Sequence, residues 1–347
     1  SVGKSSTKEL LAEMLSHKFH TYKNPGNYNN EIGLPLTLLN MSPGHQYAVL
    51  EMGFYYPGEI SFLCDIALPQ IGIVTNIGTV HAERAGSQDE IVKGKTELVQ
   101  ALPSAPEGIA LINADDALVC SMIPKTKARV VTYGTRVGAE FWASGVISKG
   151  LAGIEFDVHM PERIEHFQSP LIGFHSVMTC LRSIAVCQLE GLSIDEIRNG
   201  LADAQSQLRT SIYRHPSGAI ILDDSYNATP ESTLAALDLL ANVEGIHVAV
   251  LGDMLELGAY EQAGHQQVGK HIAQTADVLI AIGPRSKMVA ESAIQSGFSA
   301  EKTFWFEDAA QAVDLVKQHC TDHSVILVKG SHGMKMNRIV ADLKEME

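Results

Sequence analysis

The feature that most restricts this 347-residue chain is the regular alternation of short apolar runs with helix-length spacers beyond residue 208. "AIILDD" (219–224), "HVAVLGD" (247–253), "DVLIAIG" (277–283), "TFWF" (303–306) and "SVILVKG" (324–330) are strand-length rather than helix-length, and most end in glycine or a polar residue. Strands joined in this way through helices predict a doubly wound, largely parallel, Rossmann-like sheet.

The first part of the chain reads as α/β as well. Leu10, Leu11, Met14 and Leu15 repeat at helical spacing within Thr7 to Phe19. "YAVLEMG" (47–53), "PQIGIVTNIG" (69–78), "GIALINADD" (108–116) and "RVVTYG" (129–134) are expected to be short buried strands. Segment 139–160 has period-two stretches with glycines and predicts a β-ribbon, followed by helices at about 177–190 and 194–204. A polar stretch then places a domain boundary near Leu208, giving domains 1–207 and 208–347.

Composition narrows the function. Apolar residues make up 45% and charged residues 19%, the balance of a folded protein with a sizeable core. A formal net charge of −14 argues against a nucleic-acid partner, so any phosphate must be held by local loops. Five cysteines with no C-x-x-C pair suggest neither a disulfide framework nor a zinc site, and fit free thiols in a reducing cytoplasm. No apolar run approaches the ~18 residues of a membrane span.

The opening residues "SVGKSS" match the second half of a phosphate loop, G-x-x-x-x-G-K-[ST]. Gly3 allows backbone N–H groups to approach phosphate, Lys4 reaches the β- and γ-oxygens, and Ser5 offers a hydroxyl to Mg²⁺ at the start of a helix. Glu51 follows a strand in "VLEMG", where a carboxylate can hold Mg²⁺ directly or through water. His81 follows the turn "VTNIGTVH". In 88–102, Ile91, Lys95, Leu98 and Leu102 share one helical stripe, and a lysine there needs a partner or a modification.

Taken in order, "GNYNNEIGLPLTLL" (26–39), "EMG" with "PGEI" (57–60), "NIGTVHAERAGSQDEIVKGKTELV" (76–99), "LINADD" (111–116), "DDSYNATPEST" (223–233), "LGDMLELG" (251–258) and "LVKGSHGMKM" (327–336) resemble the Mur ligases over essentially the whole chain. The resemblance implies a P-loop ATPase central domain followed by a Rossmann-like C-terminal domain. It also implies a UDP-sugar-binding domain preceding the P-loop strand, outside this sequence. The implied reaction joins D-alanyl-D-alanine to UDP-N-acetylmuramoyl tripeptide in peptidoglycan precursor synthesis. ATP phosphorylates the tripeptide carboxylate, the dipeptide amine attacks the acyl phosphate, and phosphate leaves from a tetrahedral intermediate. A monomer with no membrane span is implied.

Carried over residue by residue, Gly3, Lys4, Ser5 and Ser6 serve the ATP phosphates, and Ser5 with Glu51 the first Mg²⁺. His81 serves a second Mg²⁺. Lys95 matches a lysine that can carry a CO₂-derived carbamate, although an unmodified ammonium paired with Glu51 or Glu97 satisfies the stripe equally. Arg209 falls where an arginine meets the γ-phosphate, and Asp224 where a carboxylate meets the ribose, with Tyr226 and Asn227 beside it. His175 and Ser176 fall at the adenine side. Lys329, Ser331 and His332 fall on the amine-acceptor side.

Three departures surround the nucleotide positions. "GFHSVMTCL" (173–181) has Ser176 and Thr179 where the family has asparagines, so Ser176 is expected to serve as a helix N-cap without an amide edge for adenine. Thr229 replaces an asparagine and is expected to cap a helix starting at Pro230. "LRTS" around Arg209 also differs from the family pattern. Two other classes remain open at this level: a related ligase with a different acceptor, and a nucleotide-binding relative that does not hydrolyse ATP.

Overall fold

The computed structural model describes residues 2–78, 87–203 and 211–345. Two compact units, Ser1–Leu208 and Arg209–Glu347, divide the chain. His81 and Arg209 lie outside the described residues.

The first unit opens with α1 (Lys4–Ser16), β1 (Thr21–Lys23), α2 (Gly33–Leu39), β2 (Tyr47–Val49), α3 (Glu59–Ala67) and β3 (Ile71–Val74). It continues through α4 (Gln88–Ala101), β4 (Ile109–Asn113), α5 (Ala117–Cys120), β5 (Arg129–Gly134), β6 (Phe141–Ser148), β7 (Ile154–Met160) and β8 (Arg163–Ser169) to α6 (Ser176–Leu189) and α7 (Ile194–Ala202). Strands β3 to β8 form one six-stranded sheet in sequence order. It is parallel from β3 to β6 and antiparallel from β6 to β8. The expected ribbon is therefore larger than its pattern suggested. β8 escaped notice because "RIEHFQS" keeps mainly Phe167 and Ser169 buried and reads as polar.

"YAVLEMG" does not make a buried strand. β2 covers three partly exposed residues and, among the described residues, pairs only with β1. α1 begins three residues earlier than its apolar spacing implies, because Gly3 adopts φ 82° and turns the chain straight into the helix. Leu10, Leu11, Met14 and Leu15 then pack with Phe156, Phe167, Leu181 and Ile184 in the core between α1, α6 and the sheet.

The second unit contains β9 (Ser211–Arg214), β10 (Ile220–Asp224), α8 (Pro230–Ala241), β11 (Ile246–Gly252), α9 (Glu261–Thr275), β12 (Val278–Ile282), α10 (Lys287–Gln295), β13 (Thr303–Phe306), α11 (Ala309–Gln318), β14 (Ser324–Lys329) and α12 (Asn337–Lys344). Sheet order is β13-β12-β11-β14-β10-β9, parallel except for the β9 edge. β12 and β14 are buried at every residue, as a sheet covered on both faces demands. The chain runs outward from β11 to β13 and returns to insert β14 between β11 and β10. Ligand crevices in such sheets lie beyond the carboxyl ends of the strands.

Thr229 caps α8 as expected. Its hydroxyl accepts from the Ser232 backbone N–H, Ser232 reciprocates, and Pro230 occupies the first turn.

Candidate functional site

The start of α1 is built around Gly3. Its left-handed backbone excludes most side chains, and a Cβ there would lie 2.4 Å from the Arg182 guanidinium. Arg182, 3% exposed on α6, reaches back to donate to the Gly3 carbonyl at 3.2 Å and to the hydroxyls of Thr7 and Thr179. Val2 is held as well, its N–H donating to the Asn76 side chain at 2.8 Å. The loop is thus fixed on both sides of Gly3, ahead of the N-terminus of a 13-residue helix. Such an N-terminus favours an anion.

Ser5 and Glu51 meet as the residue types require. The Ser5 hydroxyl donates to Glu51 Oε2 at 2.6 Å, and Asn29 donates to Oε1 at 3.0 Å. The Glu51 backbone is clamped by Asn24, which accepts from its N–H at 2.9 Å and donates to its carbonyl at 3.2 Å. Lys8 in turn holds the Asn24 loop, donating to the carbonyls of Asn24 and Gly26 at 2.9 and 2.8 Å. A hydroxyl and a carboxylate, both hard oxygen donors, fit a magnesium ion. Among the described residues no group of three or more His, Cys, Asp or Glu side chains could hold a metal.

Lys95 is only partly buried on its stripe. Its Nζ donates to the Asn76 carbonyl at 3.1 Å. Glu97 is engaged elsewhere, accepting from the N–H groups of Gly58 and Ser61 at the start of α3. Lys4, Asn29, Glu51, Asn76 and Lys95 line one cavity of 1080 Å³, whose walls also include Leu11, Val49, Ile71 and Ile73. Ser6 sits partly exposed in the first turn of α1.

Ser176 is not the N-cap of α6. That position is His175, which is exposed, and Ser176 is the first helical residue, 4% exposed, with its hydroxyl donating to the Ile172 carbonyl at 2.6 Å. Thr179 is likewise buried, and its hydroxyl accepts from Arg182. The departure at 179 therefore serves the Gly3 loop from within the fold.

In the second unit, Asp224 and Lys329 end neighbouring strands in register. Lys329 Nζ lies 2.5 Å from Asp224 Oδ2 and donates to the Asn227 carbonyl at 2.9 Å. Ser331 accepts from the Leu255 N–H at 2.9 Å and donates to the Ala228 carbonyl at 3.3 Å. Lys329 and Ser331 are thus buried ties between loops, and of the three expected acceptor-side residues His332 alone is exposed. Tyr226, 42% exposed, meets His332 edge-on at 5.8 Å.

Burial raises the pKa of all five thiols. Burial pushes Cys64 up to about 11 and Cys180 up to about 12, and raises Cys187 as well, so these stay protonated.

Arg182, Lys8, Asn24, Asn29 and Asn76 were not singled out from sequence. The asparagines at 24 and 29 lie at or beside "GNYNN", and Arg182 interrupts an otherwise mostly apolar helix, so composition carried a weak signal for each. Their partners are long-range and carried none.

Comparison with known proteins follows the same division of the chain. Residues 1–187 match the Mur ligase middle domain and residues 208–332 the domain described as "Mur ligase, glutamate ligase domain". The UDP-N-acetylmuramoyl-tripeptide–D-alanyl-D-alanine ligase of Synechocystis sp. is 36% identical over 99% of this chain and 73% of its own length. The enzyme of that name from Escherichia coli is 33% identical over 99% of this chain and 75% of its own. Among solved structures, MurF from Acinetobacter baumannii superposes with a TM-score of 0.90 at 30% identity, covering 99% of this chain and 75% of that one. MurF ligase from Thermotoga maritima, in complex with ADP, superposes with a TM-score of 0.87 at 25% identity, covering 99% and 78%.

Proposed function

The chain belongs to the Mur ligase family, and from that premise we propose that it joins D-alanyl-D-alanine to UDP-N-acetylmuramoyl tripeptide with hydrolysis of ATP to ADP. Residues 1–207 form its central ATP-binding domain and 208–347 its C-terminal domain. It works in the cytoplasm as a monomer. The observation that carries this reading is the 2.6 Å contact between Ser5 and Glu51 at the N-terminus of α1, beside a glycine that no other residue can replace without displacing Arg182.

The α1 N–H groups and Lys4 hold the phosphates, while Arg182 and Asn76 keep the loop from moving as charge shifts between oxygens. Preorganised donors of this kind stabilise developing charge without reorganising. Ser5 and Glu51 would hold Mg²⁺, which when bound neutralises the phosphate oxygens during transfer to the tripeptide carboxylate. Asn24 and Asn29 aim Glu51 at that position from behind. His81 is assigned to a second Mg²⁺ and Arg209 to the γ-phosphate by position in the family pattern. Asp224, with Tyr226 and Asn227, takes the ribose, and His175 lies toward the base. Ser176 and Thr179, both turned into the fold, leave adenine recognition weaker than an amide would make it. His332 is the exposed member of the acceptor side.

A carbamate on Lys95 would convert its cation to an anion beside the loop that Asn76 anchors. A carbamate carbon signal on incubation with ¹³C-bicarbonate, lost in Lys95→Arg, tests it.

The main test is phosphate release from Mg-ATP by the intact protein. Release that requires both the muramoyl tripeptide and D-alanyl-D-alanine is expected. ATP turnover indifferent to the dipeptide, or stimulated by another amine, would overturn the assignment of acceptor.

A further inference from the structure

The Asp224–Lys329 pair is asymmetric in a way that indicates its use. Side chains in register on adjacent parallel strands leave the sheet on the same face, so the two are held together by the ladder between β10 and β14. The Lys329 side chain is 2% exposed and that of Asp224 16%. An ammonium this deep must be neutralised, and Asp224 Oδ2 with the Asn227 carbonyl does so. The cation is sealed, whereas the carboxylate keeps access to the crevice beyond the strand ends. Among the described residues Oδ1 of Asp224 accepts no hydrogen bond.

We propose that Lys329 is a positioning residue: it clamps Asp224 by Oδ2 so that Oδ1 is presented to the ribose hydroxyls of the nucleotide. The inference rests on the reading that Asp224 meets the ribose. Without Lys329 the carboxylate rotates freely and faces a buried, unpaired space, so a hydroxyl would have to order it at the moment of binding. The same ammonium fixes the Asn227 carbonyl, which sets the loop between β10 and the Thr229 cap. Lys329 therefore orders the rim of the crevice without touching ligand.

The test compares the dissociation constants of ATP and 2′,3′-dideoxy-ATP, which lacks the ribose hydroxyls, for the intact protein. Wild type is expected to favour ATP by about tenfold, the size of a hydrogen bond to a charged acceptor. Asp224→Ala is expected to bring that ratio near one. Lys329→Met is expected to do the same while leaving the dideoxy affinity within about twofold of wild type, and Lys329→Arg to recover most of the ratio. A Lys329→Met protein that keeps the wild-type ratio, or that weakens both nucleotides alike, overturns the proposal. A wild-type ratio near one, or a ratio untouched by Asp224→Ala, overturns the ribose reading itself and is distinct from failure at Lys329. If circular dichroism shows Lys329→Met unfolded, Lys329→Gln, which keeps a donor for the Asn227 carbonyl, carries the same comparison.

Discussion

Lys8 in the first unit and Lys329 in the second each expose only 2% of their side chain, yet they are neutralised differently. Lys8 is caught mainly by two backbone carbonyls, with Glu9 at 3.0 Å shared with Lys23. Lys329 is caught by a single carboxylate and one carbonyl. The first arrangement fixes a loop, and that loop fixes Glu51 through Asn24. The second fixes a side chain that is itself part of the site. A buried lysine can thus build a site at one remove or at two, and its partners show which.

The comparison breaks most visibly at Lys8. Lys8→Met should cost about 3 kcal/mol of unfolding free energy, because two buried carbonyls lose their donor and Glu9 loses a neighbour. Urea denaturation showing less than about 0.5 kcal/mol, the surface range, would remove Lys8 from the architecture of the site. Glu51→Gln should lower ATP-dependent turnover about 100-fold while leaving thermal stability near wild type, since an amide still pairs with Ser5 but binds a cation poorly. Equal losses in turnover and stability would make Glu51 a structural group like Lys8.

Thr229→Ala should cost about 1 kcal/mol by loss of the α8 capping box. If that variant also weakens ATP relative to dideoxy-ATP, the loop clamped by Lys329 extends its influence to the cap. The smallest effect concerns His265, a fully buried ring that accepts from the Met254 N–H and faces the Glu261 carbonyl at 2.7 Å. Burial lowers its pKa, partly opposed by the Glu261 carbonyl. The unfolded chain takes up a proton near pH 6.5 that the folded chain refuses, so stability falls as pH drops from about 6.5 toward the lowered folded value. His265→Gln should therefore cost less at pH 5.5 than at pH 7.5 in thermal melts. His319, lowered by burial too, keeps part of the acid loss in both proteins. An equal cost at both pH values would show that His265 does not titrate with unfolding.

Local pattern made much of this legible. Thr303–Phe306 and Arg129–Gly134 form strands over their full expected ranges, because alternation and turn residues act within a few positions. β1 and β9 were not anticipated, since three- and four-residue strands are too short to show a period. Lys95 shares the apolar stripe of α4 yet is only partly buried, whereas α1 carries Lys8 inward beside Thr7. Helical periodicity says which residues share a face. It does not say which face a neighbouring loop will cover.

By itself the sequence determined the two α/β units, the helix that begins at the phosphate loop, the Thr229 cap, and a family resemblance carried by residue types in order. Each of these depends on spacing of a few residues or on identity at a position. Tertiary structure alone decided that Arg182 braces Gly3 across 179 positions, that Asn24 and Asn29 aim Glu51, and that Lys329 locks Asp224 across 105. Such contacts join groups whose separation along the chain has no period. They exist because burying a charge or an amide leaves it no water, so each must find its partner wherever the fold brings one.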